Sequence, residues 1–565
     1  MYVVLTRSTR GITALRLDDA GSPLGEPDSL TETELPAFVA RLERERPRWV
    51  WDDSTRWYPA LLAAGVRVER CVDLRLSHQI LRGSELTATS ALANAPLGPW
   101  DAATPLAEKP RSEGALFDFD PDPVADAPTD PVAEFALQRE AVATAAEPGR
   151  IGLLLAAESA GGLIACEMKS AGLPVRADVH ERLLADLLGE RPRGFERPAR
   201  LEALLDRMRT ILGTHDVNPD SPAELLKALR RSGLQVASTR SWELEQIDHP
   251  VIAPLLEYKK LSRLQTANGW NWLDTWVADG RFRPDYVPGG AATGRWGASG
   301  GGALQLPKQV RGAVVADPGW KLVVADAAQL EPRVLSALSA DRRMAEAGRG
   351  DLYEGIVASG AVKTRAEAKV AMLGAMYGAT AGDGGRLMPA LTRAFPQAIA
   401  LVEQAARTGE RGGIVSTRLG RSSPLPGEEW RELQEGASVP GASEGLRGAA
   451  RSQSRGWGRF TRNFIVQGTA AEWALCWMAG LRGRLWNLGG ADGGGGRLAD
   501  RPHLVFFLHD EVIVHTPAEL ADSVVAELRS AASEAGRLIF GALPVGFPIT
   551  TAVVDDYGQA KWRPQ

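Results

Sequence analysis

Two acidic positions and one cationic stripe carry the chemistry this sequence could perform. Asp326 ends the apolar run Lys321-Leu-Val-Val-Ala325. Asp510 and Glu511 stand between the apolar runs His503-Leu-Val-Phe-Phe-Leu508 and Val512-Ile-Val-His515. The runs read as buried strands, the last two as a hairpin with acids at its turn. If the strand ends meet, Asp326 and Asp510 form a carboxylate pair of the kind that holds two divalent cations about 4 Å apart. One cation activates an attacking hydroxyl and the other neutralises leaving phosphates. Carboxylates that close would repel without such compensation. Between these strands in the chain, Arg365, Lys369, Leu373 and Tyr377 recur every fourth position in a stretch of helical composition. They share one stripe, cationic at its N-terminal end and apolar or aromatic at the other. A triphosphate would lie along Arg365 and Lys369, where the helix dipole adds attraction, with a base near Leu373 and Tyr377. Each feature also has an ordinary reading. Asp326 could cap a helix that starts near Gln329. Asp510 and Glu511 could be a solvated turn, and the stripe a basic surface beside a packing face.

The elements that must position these groups can be outlined from periodicity. Residues 1 to about 117 read as α/β, with Met1–Leu5 and Thr13–Leu17 as paired strands, Leu35–Arg44 as a helix and Trp49–Trp51 as a short strand. Asp118 to Pro131 is rich in Pro and Asp and reads as a loop or linker. From about 150 to 290 the pattern is helical, with Glu181–Leu188 and Leu201–Leu212 amphipathic, and Asn218–Pro222 placed to cap a helix over Ala223–Leu229. Mixed strands and helices follow to the end, interrupted by the glycine run between Leu488 and Gly496, which reads as a flexible surface loop. No internal repeat is visible.

Bulk properties narrow the class. At 565 residues the chain is too long for one core, so several domains are expected. Hydrophobic residues at 44% and charged residues at 24% are ordinary for a soluble globular protein. The net charge of −5 supplies no global field for nucleic acid, so binding to it needs local basic surfaces. Three scattered cysteines, Cys71, Cys166 and Cys476, form no metal cluster and suit a reducing cytoplasm. The N-terminus lacks a signal-peptide core, and no apolar run approaches the roughly 20 residues of a membrane span.

Taken in order, three blocks resemble motifs A, B and C of family A DNA polymerases. They are Val324-Ala-Asp326-Ala-Ala-Gln-Leu-Glu331-Pro-Arg333, Arg365-x3-Lys369-x3-Leu373-Gly-x2-Tyr377-Gly378 and Leu508-His509-Asp510-Glu511. Further blocks fall in family order over about residues 150 to 565. Thr293-Gly294-Arg295 with Leu304-Gln305-x-Pro307 resembles the family's minor-groove segment. Leu256 to Leu264, with Lys259 and Arg263, resembles the thumb helix that holds the duplex backbone. Thr417-x2-Gly420-Arg421 matches the segment after the fingers, and Arg459-x3-Asn463-x3-Gln467-Gly-Thr-Ala-Ala471 the palm helix before motif C, its stripe aimed at a primer terminus.

The resemblance implies a multidomain α/β protein: a right-hand polymerase fold preceded by a ribonuclease H-like, exonuclease-type α/β domain. The implied divisions are 1–149 for a degenerate 3′–5′ exonuclease-like domain, 150–290 for the thumb region, 291–340 for palm with motif A, 341–430 for fingers with motif B, and 431–565 for palm with motif C. The implied activity is DNA-templated addition of deoxynucleotides to a primer 3′ end, in replication or repair, with two Mg²⁺ ions, for which Mn²⁺ could substitute. Asp326, Asp510 and the Ala327 backbone would hold the metals, with Glu511 and Lys369 also in the catalytic set. Arg365, Lys369, Leu373, Tyr377, Gln329, Glu331 and Tyr353 would meet the nucleotide, Glu331 excluding a 2′-hydroxyl. Arg295, Gln305, Lys259, Arg263, Arg459, Asn463, Gln467, His509, Thr417 and Arg421 would meet DNA. A cytoplasmic monomer is expected, with no membrane association and a separate 5′ nuclease, since no 5′ nuclease domain is visible.

Departures from the family pattern are Ala327-Ala328 for Tyr-Ser, Leu373 for Phe, Tyr353 for His and Glu472 for Asp. None removes a metal ligand or the cationic helix pair Arg365 and Lys369. In the N-terminal part, Asp52, Asp53 and Asp73 resemble surviving exonuclease acids, but the first strand lacks Asp-x-Glu and no final Tyr-x3-Asp is visible between 130 and 150. Two-metal hydrolysis needs its ligands nearly complete, so this domain is expected to be inactive. The alternatives are a catalytically silent primer-template binding protein and a polymerase with residual 3′–5′ exonuclease activity.

Overall fold

In the computed structural model, described for residues 1–560 apart from 10, 102–129, 195, 215, 301, 303–305, 379–381 and 490–495, the acid-bearing runs come together in one sheet. Trp320–Ala327 lies inside a four-stranded antiparallel sheet, flanked by Glu511–Pro517 and Ile549–Val554, with His503–Leu508 at the edge. Leu322, Val323, Val324 and Ala325 are fully buried. This is why the run reads as continuous rather than alternating: both faces of the strand are covered. Burying each of the three larger side chains contributes about 1.5–3 kcal/mol. The helices Glu444–Leu488 and Ala521–Phe540 pack against each other behind the sheet, with Trp473 and Trp477 wholly buried between elements.

The helix Arg365–Tyr377 starts and stops where the sequence dictates. Thr364 accepts from the Glu367 N–H at 3.1 Å, and Glu367 accepts from the Lys363 N–H at 2.8 Å, satisfying donors that a helix start leaves open. Gly378 ends it in the left-handed region (φ 71°), a conformation that costs glycine little. Its buried face is Ala368, Ala371, Met372, Ala375 and Met376, which leaves the predicted stripe turned outward.

The N-terminal part is a five-stranded sheet in the order β3-β2-β1-β4-β5, with β1 Tyr2–Ser8, β2 Gly11–Leu17, β3 Asp28–Leu30, β4 Arg48–Trp51 and β5 Cys71–Asp73. β1, β2 and β3 pair antiparallel, and β1, β4 and β5 parallel. This is a ribonuclease H-like arrangement. The predicted helix at Leu35 runs to Leu42 and tightens into a 3₁₀ turn over Glu43–Glu45. Ser221 caps the helix Pro222–Arg231, accepting from Glu224 N–H at 3.4 Å. Most of the predicted linker, 118–129, lies outside the described residues; Asp130 caps the helix Pro131–Ala143. The glycine run lies partly outside them too, after a helix that continues to Leu488.

One expectation needs correction. The helix Pro148–Ala171 is long and apolar enough by composition to cross a membrane, with mean hydropathy 1.5 over its best 18 residues. Yet 72% of that window is buried inside the protein, as in a core helix. It packs on the N-terminal sheet and helix Ser54–Ala63 on one side and on Glu444–Leu488 on the other. The division expected at 149/150 therefore falls at the start of a helix that both parts share.

Candidate active site

Asp326 is the penultimate residue of its strand and pairs in register with Glu511. Ala327 donates its N–H to the Asp510 carbonyl at 3.0 Å. The strand therefore runs past Asp326, and the following helix Leu330–Ser339 is preceded by Gln329, not Asp326, as its cap. The helix-cap reading of Asp326 fails for that reason. His509 and Asp510 are the two residues of the hairpin turn. Only His509 has positive φ (60°), at a turn position that usually takes glycine, so its backbone is strained.

Among the described residues, neither the Asp326 nor the Asp510 side chain takes a hydrogen bond from another side chain or an ion pair. Burial, then Glu511, pushes the Asp326 carboxyl up to about 6. Burial, then Asp326, pushes Asp510 up to about 7. Among the described residues no three His, Cys, Asp or Glu side chains cluster as a metal site, so any divalent ion would rest on this pair and backbone oxygens. The pair fits such an ion: both groups are hard oxygen ligands, held close, with no cation to neutralise them.

The two acids share a cleft of about 410 Å³ with Arg295, Gln329, Glu331, Tyr353, Arg365, Lys369, Leu373 and His509. Arg365 pairs with Asp351 at 2.9 Å and lies 5.3 Å over the Tyr353 ring. Lys369 is exposed, with no ion pair among the described residues. Leu373 and Tyr377 are 38% and 40% exposed, the further end of the same stripe. Glu331 bridges the cleft, accepting from Arg295 and, at 2.9 Å, from the Tyr377 hydroxyl. Thr293 donates to Gln467 Oε1 at 3.2 Å. Arg459 is exposed, and its stem packs on Gly378. Asn463 is half-buried, and its Oδ1 has no partner among the described residues.

Other expected site residues are placed differently. Glu511 is buried away from the cleft, taking the Tyr557 hydroxyl, with Arg311 at 3.7 Å. Glu511 is the first residue of its strand and follows the strand's inward face, whereas Asp510 stays in the turn beside the cleft. Gln329 faces the cleft, but its amide oxygen accepts from Leu352 N–H at 2.9 Å and from Arg333. Thr417 is buried and donates to Glu472, while Arg421 pairs with buried Glu158. Thr417 is turned inward and Arg421 keeps 12% of its side chain exposed, so both are committed to protein partners in this structure. Lys259 is half-buried and donates to the Thr239 carbonyl, whereas Arg263 on the same helix Ile252–Asn268 is exposed. Gln305 lies outside the described residues.

The sequence reading missed three supports. Asp351 holds Arg365 and also caps the helix Leu352–Ala358; the pattern Asp351-x2-Glu354 was a visible signal. Arg333 is buried and donates to the carbonyls of Ala328, Gly348, Gly350 and Gly546, fixing the turn from strand to helix. Tyr557 cages Glu511 from a distant part of the chain and had no local signal.

An acid pair at the end of an antiparallel sheet, facing a cationic helix across a cleft, with a ribonuclease H-like sheet before it, defines a right-hand polymerase fold. The chain belongs to DNA polymerase family A, whose sequence profile matches residues 195–554. It is 26% identical over 363 residues to the DNA polymerase I of Chloroflexus aurantiacus, covering 58% of this chain and 35% of that protein. It is 26% identical over 403 residues to the thermostable DNA polymerase I of Thermus aquaticus, covering 63% and 43%. The chain thus spans less than half of these relatives' length. Its fold resembles the POL domain of Pol1 from M. smegmatis, solved in complex with DNA primer-template and dNTP, with TM-score 0.67, 18% identity, and coverage of 99% of this chain and 95% of that one.

Proposed function

We propose that this chain is a DNA-templated DNA polymerase that adds deoxynucleotides to a primer 3′ end. The observation that carries the reading is one cleft holding an acid pair, with no side-chain donor or ion pair among the described residues, opposite a cationic helix stripe. Asp326 and Asp510, with the Ala327 backbone, would hold two Mg²⁺ ions. Bound there, the ions supply activation of the primer hydroxyl and neutralisation of the leaving phosphates.

The chain's own residues bind and orient. Lys369 meets the triphosphate with charge-assisted hydrogen bonds. Arg365 shares its charge with Asp351, so it acts as a pre-positioned partner for phosphate. Leu373 and Tyr377 flank the base. Glu331, held between Arg295 and Tyr377, stands where the sugar would lie and excludes a 2′-hydroxyl. Arg295, Asn463 and Gln467 line the approach of the primer terminus, and Arg263 and Arg459 meet the duplex backbone. In this reading residues 150–290 act as thumb, 291–340 and 431–565 as palm, and 341–430 as fingers.

The N-terminal sheet is read as a degenerate exonuclease fold without activity. Asp52 accepts from Arg56 and Trp57, Asp53 caps Ser54–Ala63, and Asp73 caps Leu74–Gly83 while also accepting from Ser54 N–H at 2.7 Å. The helix Pro148–Ala171 covers this face, with Ser159 Oγ 3.1 Å from Asp73 N. Primer extension with Mg²⁺ and four deoxynucleotides tests the reading. Templated elongation supports it, and DNA binding without elongation rejects it in favour of a silent binding protein.

A further inference from the structure

The loop that presents Arg295 is held from outside the matched segment. Gly294 has φ 79°, and a Cβ there would sit 2.5 Å from Arg421 Nε, so the Arg421 guanidinium lies directly under the residue before Arg295. Arg421 donates to Glu158, which is 1% exposed, on the helix Pro148–Ala171. A Cβ on Gly289, at the start of this loop, would lie 3.7 Å from Glu158 Oε2. Three residues further along the helix, a Cβ on Gly161 would lie 3.4 Å from Trp296, the residue after Arg295. Glu158 and Gly161 share a helix face, so one face grips both sides of the loop. The neighbouring face holds the N-terminal sheet: Ser159 takes the Asp73 N–H at 3.1 Å, and Cys166 Sγ lies 3.6 Å from the Ser54 carbonyl.

We infer that Glu158 is a positioning residue for Arg295, acting through Arg421 and Gly294. The inference rests on the polymerase reading above. Arg421 is itself mostly buried, so its guanidinium has little water to turn to if the carboxylate is lost. It would then move to find another acceptor, and Gly294 rides on it. Arg295 would shift against Glu331 and Tyr377, and the primer end would lose alignment. The helix that links the two parts of the chain is therefore part of the site's support.

The test is a double-mutant cycle in the full chain. Glu158→Gln should lower kcat for a matched primer by about tenfold while leaving nucleotide KM within about twofold, because alignment and not binding is lost. In an Arg295→Ala background the same substitution should cost almost nothing further. Glu167→Gln serves as control: Glu167 is on the same helix and also buried, but pairs with Arg482 far along the chain from the loop. It should lower the unfolding temperature without slowing kcat. The inference is overturned if Glu158→Gln and Arg295→Ala add independently, if Glu167→Gln slows extension as much, or if kcat is unchanged. A crystal structure of Glu158→Gln decides the positioning claim without activity. It should show residues 291–297 displaced and the Arg295–Glu331 contact broken, and an unmoved loop refutes the claim. A parent chain that fails to extend primers would sink the polymerase reading and leave this structural arm standing.

Discussion

Asp326 and Asp510 in the C-terminal sheet and Asp52, Asp53 and Asp73 in the N-terminal sheet are the same residue type, all at or just past strand ends or in the turn that joins strands. Titration does not tell Asp510 from Asp73. Burial pushes Asp510 up to about 7 with help from Asp326, and pushes Asp73 up to about 7 with help from Asp53. Donors do. Each N-terminal acid accepts hydrogen bonds from helix starts or neighbouring side chains. Among the described residues the C-terminal pair accepts none from other side chains, and it faces an open cleft. A buried carboxylate tied to helix starts and neighbouring side chains is part of the structure; a pair of close acids without a side-chain donor or cationic partner is suited to a cation that arrives from outside.

The contrast can be broken most strongly at its functional end. Asp326→Ala or Asp510→Ala should remove several kcal/mol of transition-state stabilisation and lower extension by on the order of a thousandfold, with DNA affinity nearly unchanged. Extension within tenfold of the parent would contradict the assignment. Lys369→Ala should lower kcat/KM for nucleotide by roughly ten- to a hundredfold, the weight of a charge-assisted hydrogen bond, and leave duplex binding alone. Weaker DNA binding with normal nucleotide use would misplace the stripe.

The structural end predicts smaller, different effects. Asp73→Ala removes a helix cap and should cost about 1–2 kcal/mol of stability, seen as a lower unfolding temperature, with extension retained. Loss of a 3′–5′ exonuclease activity in that variant would show that the N-terminal acids are not merely structural. Arg263→Ala should weaken DNA binding about equally across sequences and flatten the salt dependence by roughly one counterion, read by titration at several salt concentrations. A salt-independent affinity would remove the proposed duplex contact.

What the sequence made legible follows from range. The strand before Asp326, the hairpin at His509-Asp510 and the stripe from Arg365 to Tyr377 are local patterns, and local periodicity found them. Which way Thr417 and Arg421 face depends on Glu472 and Glu158, 55 and 263 residues away, so their types and spacing could not tell an inward polar network from a DNA contact. Glu511 turned inward for the same reason, toward Tyr557, 46 residues on. Lys259 and Arg263 are one helical turn apart, and Lys259 is drawn to the Thr239 carbonyl, 20 residues away in the chain, which helix periodicity alone does not show. The apolar character of Pro148–Ala171 was easier to underestimate because Glu158 interrupts it, and that glutamate proved to be buried against Arg421.

The central claim is that the acids without side-chain donors, Asp326 and Asp510, hold divalent metal and the capped acids do not. Anomalous diffraction from crystals of the chain with primer-template, a non-hydrolysable deoxynucleotide and Mn²⁺ tests it most directly. The account predicts two manganese peaks between Asp326 and Asp510 and none at Asp52, Asp53 or Asp73. Manganese at the N-terminal acids, or none at the C-terminal pair, would contradict it.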